Sequence, residues 1–214
     1  MRLSGAIFDL DGTLLDSMFI WDTVGEDYLR SCGMQPHEAL NEKFKNMSLY
    51  QAACYYRDEY GMPGSAEEIM GGVNRLIAHF YMDEVQPKAG VPEMLEALKK
   101  RGVKMCVASA TDRPLVKAAL SRCGLLGYFE EIFTCSSVGH GKDEPDIFLA
   151  ALDFLGTPKE STWVFEDALH AAQTAKAAGF PVLAVYDRSE KDQDALAKLA
   201  DVYVRSFAEM EASL

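Results

Sequence analysis

The chain has 214 residues, of which 33 are acidic and 21 are basic, so its formal net charge is −12. Because a protein with this charge repels phosphate backbones and anionic lipids unless it carries a local basic patch, and the sequence shows no such patch, nucleic acid and membrane partners are not expected. The composition, with 49% hydrophobic and 25% charged residues, is typical of a globular protein and excludes a disordered chain.

Short apolar runs alternate along the chain with longer segments of helical period, which is typical of a parallel sheet covered by helices. The predicted strands are residues 3–8, 103–108, 131–135, 162–165, 181–186 and 201–204. The predicted helices between them are residues 91–101, 113–123, 146–155, 168–178 and 191–199. This order predicts an α/β fold whose core is doubly wound around a mostly parallel sheet.

Residues 16–86 interrupt this alternation, because they show helical periods only. The segment is too long for one crossover and predicts an inserted all-helical domain. It carries 5 basic and 12 acidic residues, so more than half of the net negative charge lies in it. Proline and glycine within residues 86–90 suit a linker back to the remaining strands. We therefore predict a core domain of residues 1–15 and 87–214.

The five cysteines are widely spaced and contain no Cys-x-x-Cys pair, so neither a disulfide framework nor a zinc site is predicted. The amino-terminal segment reaches acidic residues too early for a signal peptide, and no apolar run approaches the roughly 18 residues of a membrane span. We expect a soluble, cytoplasmic protein. The sequence does not decide between a monomer and a weak dimer.

Asp9 and Asp11 follow the first predicted strand directly and precede Gly12 and Thr13. Side chains just past the carboxyl ends of the strands of an open parallel sheet line the ligand crevice. Two carboxylates there repel each other, so they need a cation, a proton on one of them, or both. An Asp-Gly pair is also ordinary in a solvated turn, so this segment alone does not separate a site from a turn.

Three other predicted strands are followed by residues that suit the same crevice. These are Ser109 after the second strand, Lys142 in a glycine loop after the third, and Glu166 with Asp167 after the fourth. Each has an ordinary structural explanation by itself, as a helix cap, a solvated cation or a first-turn charge. Together with the first pair they bring four carboxylates, a lysine and a hydroxyl to four strand ends, which suits magnesium and a phosphate group.

On these residues the chain resembles the haloacid dehalogenase superfamily, in its phosphatase and β-phosphoglucomutase-like branch with a helical cap. The likeness extends over the whole chain, and four motifs occur in the order of the family: residues 9–13 (DLDGT), Ser109, Lys142 and Glu166-Asp167. The resemblance implies that residues 16–86 are the cap. The fourth motif departs from the EDSxxG of many relatives, because Ala168 and Ala171 replace a serine and a glycine. Alanine packs almost as closely as glycine and favours helix, so we expect the metal site to be kept.

The resemblance implies a role for each residue in catalysis and substrate binding. Asp9 would be the nucleophile that takes the phosphoryl group as an aspartyl-phosphate. Asp11 would be the general acid that protonates the leaving oxygen and then activates the hydrolytic water. Ser109 and the N–H of Ala110 would hold the transferring phosphoryl oxygens. Lys142 would neutralise charge on the phosphate and the nucleophile.

The resemblance also implies Mg²⁺ as the cofactor. Asp9, the backbone carbonyl of Asp11 and the carboxylate of Asp167 would bind it. Glu166 would bind it directly or through a water molecule. His170 follows the same motif, where packing or capping at the start of the helix is the expected role.

The function that the resemblance implies is that of a Mg²⁺-dependent phosphatase that hydrolyses a small phosphorylated metabolite. Haloacid dehalogenases lack an acid at the position of Asp11, so dehalogenase activity is excluded. A phosphomutase of the β-phosphoglucomutase type stays open. It needs cationic cap groups for a second phosphate, and residues 16–86 offer only Arg30, Lys43, Lys45, Arg57 and Arg75. A catalytically idle phosphate-binding or partner-binding protein is the alternative of another class.

Overall fold

A six-stranded parallel sheet forms the centre of the computed structural model, which describes residues 3–44 and 47–212. Along the chain the strands are β1 (Gly5–Phe8), β2 (Leu15–Asp16), β3 (Gln86–Pro87), β4 (Lys104–Ser109), β5 (Glu131–Thr134), β6 (Thr162–Glu166), β7 (Val182–Val185) and β8 (Val202–Val204). The sheet has the order β5-β4-β1-β6-β7-β8, and every neighbouring pair is parallel. β2 and β3 form a separate short antiparallel ladder. The predicted α/β fold is confirmed.

The chain between β2 and β3 is helical, and we call it the insertion. Its helices are α1 (Met18–Trp21), α2 (Val24–Ser31), α3 (Leu40–Phe44), α4 (Leu49–Tyr60) and α5 (Ala66–His79), followed by a π-helical turn over Phe80–Glu84. Ser48 and Ser65 are the N-caps of α4 and α5, each in a capping box with the residue three positions later. Gly61 ends α4 with a φ of +62°, a conformation that favours glycine.

Helices also connect the later strands. They are α6 (Val91–Lys100), α7 (Arg113–Arg122), α8 (Cys135–Val138), α9 (Asp146–Leu155), α10 (Leu169–Ala177) and α11 (Gln193–Leu199), with 3₁₀ turns over Leu126–Tyr128, Lys159–Ser161 and Phe207–Ala212. The sequence does not predict the single-turn helix α8. In the part of the chain that the structure describes, no helix has both the length and the apolar composition of a membrane span.

The central strands are buried on both faces, which explains their nearly continuous apolar sequences. Successive side chains of β1 point to opposite faces of the sheet. Phe8 packs in one apolar cluster with Val116 of α7, and Ile7 packs in a second cluster with Phe148 of α9. The first cluster continues into the insertion, where it includes Tyr56 and Ile77, so the division of the chain into two domains stays a prediction.

Candidate active site

Most of the predicted site residues lie at the carboxyl ends of three neighbouring strands. β4, β1 and β6 are adjacent in the sheet. Asp9 leaves β1 and donates its backbone N–H to the carbonyl oxygen of Phe165 at 3.0 Å. Ser109 is the last residue of β4, and Glu166 is the last residue of β6. The strand order reverses at β1, which is the kind of position where open α/β sheets bind ligands.

Lys142 links two of the predicted carboxylates. Its ammonium group donates to Asp9 Oδ1 and, at 2.5 Å, to Glu166 Oε1. The loop that carries it turns at Gly139, whose φ of +84° ends α8. Burial lowers the pKa of Lys142, but the charges of Asp9 and Glu166 and their hydrogen bonds outweigh burial and raise this pKa above its ordinary value. Lys142 therefore stays charged in its buried position.

Asp9, Glu166 and Asp167 form a buried cluster of carboxylates, and one oxygen from each lies within 4.8 Å of the others. Burial raises the pKa of Asp9 to about 6, although Lys142 opposes the rise. Burial, together with the charges of Asp9 and Glu166, raises the pKa of Asp167 well above its ordinary value. One lysine does not neutralise three carboxylates, so the cluster favours a further cation.

The donor set of this cluster fits Mg²⁺, because carboxylate oxygens are the hard donors that this ion prefers. Asp167 Oδ1 accepts a hydrogen bond from Thr13 Oγ1 at 2.8 Å, which fixes the orientation of the carboxylate. Gly12 has a φ of +85° and lies so close to this carboxylate that a Cβ would collide with it. Glu166 Oε2 accepts the backbone N–H groups of Asp167 and Ala168 at 3.1 and 3.2 Å, so both oxygens of Glu166 have protein donors.

The carboxylate of Asp11 is not part of this cluster and is held by three hydroxyl groups. Its Oδ1 accepts from Ser17 Oγ at 2.6 Å and from Tyr81 Oη at 2.7 Å. Its Oδ2 accepts from Thr111 Oγ1 at 2.6 Å. Burial and the charge of Asp9 raise the pKa of Asp11, and the three hydrogen bonds oppose the rise. The sequence gives no signal for Tyr81, which stands 70 residues from Asp11 along the chain.

Ser109 lies where the second motif predicts, at the end of β4, but its hydroxyl serves the local turn. The side chain is fully buried, and its Oγ accepts the backbone N–H of Thr111 at 3.0 Å. Ala110 and Thr111 line the cavity at this site, whereas Ser109 does not. Phosphate binding by Ser109 therefore stays a prediction.

The site opens onto a cavity of about 440 Å³. Asp9, Asp11, Lys142 and the carboxylates of the cluster line one part of it. The insertion supplies a second, largely apolar part, which includes Met18, Trp21, Val24, Phe44, Leu49, Ala52, Tyr56 and Val73. His170 also lines the cavity, so its position is not only that of a packing residue at the helix start. Burial lowers the pKa of His170.

The sheet is parallel and doubly wound, and charged side chains gather where its strand order reverses. This is the architecture of an α/β enzyme. The family model described as haloacid dehalogenase-like hydrolase matches residues 6–185 of this chain, and the protein belongs to that family.

Three comparisons show which proteins the chain is similar to. The chain is 30% identical over 195 residues to Protein SUPPRESSOR OF QUENCHING 1, chloroplastic, of Arabidopsis thaliana, a match that covers 86% of this chain and 18% of that longer protein. It is 28% identical over 189 residues to Hexitol phosphatase A of Escherichia coli (strain K12). This match covers 86% of this chain and 84% of that protein. The crystal structure of CbbY from Rhodobacter sphaeroides in complex with phosphate shares the fold, with a TM-score of 0.84, 23% identity and coverage of 98% and 96%.

Proposed function

We propose that the protein is a Mg²⁺-dependent phosphatase that releases phosphate from a small phosphorylated metabolite through an aspartyl-phosphate on Asp9. One observation carries the proposal: Lys142 bridges Asp9 and Glu166 beside Asp167, in a buried cluster that opens onto the cavity. A carboxylate beside a lysine and a cation site is suited to attack a phosphoryl group whose charge these cations neutralise. The relative named Hexitol phosphatase A supports this class of substrate.

Asp9, Asp167 and the backbone carbonyl of Asp11 would hold Mg²⁺ in this proposal. Glu166 would contact it through water, because both of its carboxylate oxygens already accept hydrogen bonds from Lys142 and from backbone N–H groups. The bound ion supplies positive charge that stabilises the phosphoryl oxygens during transfer. Lys142 opposes the effect of burial on the pKa of Asp9 and so favours the charged form that attacks.

Phosphoryl transfer takes two steps. In the first, an oxygen of Asp9 forms a bond to phosphorus while the bond from phosphorus to the leaving oxygen breaks, and Asp11 gives its proton to that oxygen. In the second, water attacks the phosphorus of the aspartyl-phosphate and gives a proton to Asp11, and phosphate leaves as the Asp9 carboxylate is restored. Burial and the charge of Asp9 raise the pKa of Asp11, which favours the protonated form that the first step needs.

We infer that residues 16–86 act as a cap on a core domain of residues 1–15 and 87–214. Trp21, Phe44 and Tyr56 bring apolar surface of the insertion to the cavity. This surface excludes water from the phosphoryl group and suits the uncharged organic part of a metabolite.

The phosphomutase alternative requires a binding site for a second phosphate. Among the residues that the structure describes, the lysines and arginines that line the cavity are Lys142 and Lys191. Arg30 and Arg57 of the insertion pair with acidic side chains of their own helices at the surface. Lys45 lies outside the described residues. Neither lining lysine belongs to the insertion, where a phosphomutase needs a cation for the second phosphate, so the lining favours a monophosphate over a bisphosphate.

Phosphate release from a panel of phosphorylated metabolites, with Mg²⁺ or with a chelator, tests the proposal. The panel contains hexitol phosphates, other sugar phosphates, nucleoside monophosphates, phosphoglycolate and a sugar bisphosphate. We expect Mg²⁺-dependent release from a narrow group of monophosphates and little release from the bisphosphate. Conversion of glucose 1-phosphate into glucose 6-phosphate without phosphate release would favour the mutase. Folded protein that turns over none of the compounds would reject both enzymes.

Mg²⁺ is expected to raise the Tm of the protein, and the Asp167→Asn variant is expected to lose most of this rise. A ligand that binds only the folded state, at a concentration of a hundred times its Kd, stabilises that state by about 2.7 kcal/mol. For a chain of this size this free energy corresponds to a rise of roughly 5–10 °C in Tm. Because the variant lacks one of three mutually repelling carboxylates, its Tm in chelator is expected to equal or exceed that of the wild type. Thermal unfolding followed by circular dichroism measures both effects.

The Asp201→Asn variant is the control for this measurement. Asp201 pairs with Lys176 in a partly exposed ion pair outside the cluster, so the variant should keep the rise in Tm that Mg²⁺ produces. An equal rise in the Asp167→Asn variant would contradict the assignment of this carboxylate to the metal.

A further inference from the structure

One buried phenol connects the Asp11 carboxylate to both ends of the insertion. Tyr81 is 0% exposed. Its Oη donates to Asp11 Oδ1 at 2.7 Å and accepts from Trp21 Nε1 at 3.1 Å. Trp21 ends α1, near the beginning of the insertion, and Tyr81 lies in the π-helical turn near its end. The two ends of the insertion therefore meet at the carboxylate that the proposed function uses as general acid.

The turn that carries Tyr81 is anchored to the core. Arg122 of α7 donates to the carbonyl oxygen of Tyr81 at 3.5 Å and also to the carbonyl oxygen of Val85. The backbone N–H of Val85 donates to the carbonyl oxygen of Phe80 at 2.9 Å and so closes the π-helical turn. Single π-helical turns are rare in proteins, and many of those that occur lie at functional sites. The turn thus fixes the Tyr81 phenol at Asp11.

We propose that Tyr81 is a positioning residue, which holds the Asp11 carboxyl where it can protonate the leaving oxygen when the insertion is seated on the core. The inference rests on the proposed function. Thr111 holds the same carboxyl from the core side, whereas Tyr81 holds it from the returning end of the insertion. Ser17, at the beginning of the insertion, also donates to this carboxyl, so the contact of Tyr81 joins the placement of the returning end of the insertion to the alignment of the acid.

The test compares the Tyr81→Phe variant with the wild type on p-nitrophenyl phosphate and benzyl phosphate, with Mg²⁺ present. The two organic groups are similar in size, but nitrophenolate leaves without a proton, whereas the alkoxide of benzyl alcohol needs one. We expect kcat/KM of the variant to fall by about tenfold to hundredfold for benzyl phosphate and by less than about threefold for p-nitrophenyl phosphate. The value of kcat/KM reports only the steps up to departure of the leaving group, so the later hydrolysis of the aspartyl-phosphate does not affect it.

The Tyr203→Phe variant is the matched control. It removes a phenol hydroxyl that donates to Gln193 Oε1 at 2.8 Å, at the edge strand β8. Its kcat/KM should stay within about twofold of wild type for both compounds. The Tm and the Mg²⁺ concentration that gives half-maximal rate are measured for each variant, because a damaged fold or metal site would change them. If Tyr81→Phe folds poorly, Trp21→Phe removes the donor to Tyr81 Oη and is expected to show the same dependence on leaving group.

Equal losses on the two compounds, or no loss on either, would overturn the role of Tyr81 while leaving the phosphatase in place. A wild-type protein without Mg²⁺-dependent turnover of any phosphomonoester would instead reject the proposed function, and this inference with it. The two failures are therefore distinguishable.

Discussion

The Asp9→Asn variant is expected to release phosphate at least about 10⁴-fold more slowly than the wild-type protein. An amide does not form the acyl-phosphate that the mechanism requires, although its size and shape match those of the carboxylate that it replaces. The contact between Lys142 and Glu166 does not involve Asp9, so these surroundings stay in place. The loss therefore measures the chemistry of Asp9 rather than the integrity of the fold.

Rapid acid quenching with radiolabelled substrate detects the covalent intermediate as phosphate bound to the protein. We expect label on the wild-type protein and none on the Asp9→Asn variant. The Asp16→Asn variant is the control, because Asp16 is an exposed carboxylate in the same segment, and it should keep both the label and the rate. Label on the Asp9→Asn variant, or a loss of rate smaller than about tenfold, would contradict the assignment of the nucleophile.

The residues that directly follow strands could be placed from the sequence, because the strands of a parallel sheet end at the same edge. Asp9 follows β1, and Glu166 and Asp167 stand at the end of β6, the neighbouring strand. The prediction that these carboxylates lie close together therefore requires only that the strands and the order of the motifs are identified correctly. Lys142 reaches them from the glycine loop after the third predicted strand, where a solvated cation is the ordinary explanation, so its role depends on the other strand-end residues and on the family resemblance.

The partners of Asp11 could not be found in the same way. Tyr81 approaches it only because α5 continues into a π-helical turn, which no local pattern specifies. Ser109 shows a similar limit, since the end of β4 is predictable but the contact of its hydroxyl with the N–H of Thr111 depends on the geometry of the turn. The β2–β3 ladder and the one-turn helix α8 are shorter than the repeats that periodicity detects.

The Lys142→Met variant is expected to lose both stability and activity. Methionine keeps the apolar stem but removes the ammonium group, so Asp9 and Glu166 stay buried without their cationic partner. Removal of one partner of a buried ion pair costs about 3–5 kcal/mol in free energy of unfolding. Loss of a charge that faces the transferring phosphoryl group lowers kcat by about 10²–10³-fold. Denaturant unfolding in chelator and phosphate release with Mg²⁺ measure the two effects.

The Lys176→Met variant separates these effects from the general consequences of removing a lysine. Lys176 pairs with Asp201 near the surface, so its loss should cost less than about 1 kcal/mol and leave kcat unchanged.

Addition of Mg²⁺ separates the loss of stability of the Lys142→Met variant from its loss of activity. Because the ion binds carboxylates that lack their lysine, it should recover part of the stability, but it does not replace the donor to Asp9 and should not recover kcat. A variant as stable as the wild type in chelator would show that the lysine does not hold the two carboxylates together, and full activity would show that phosphoryl transfer does not use its charge.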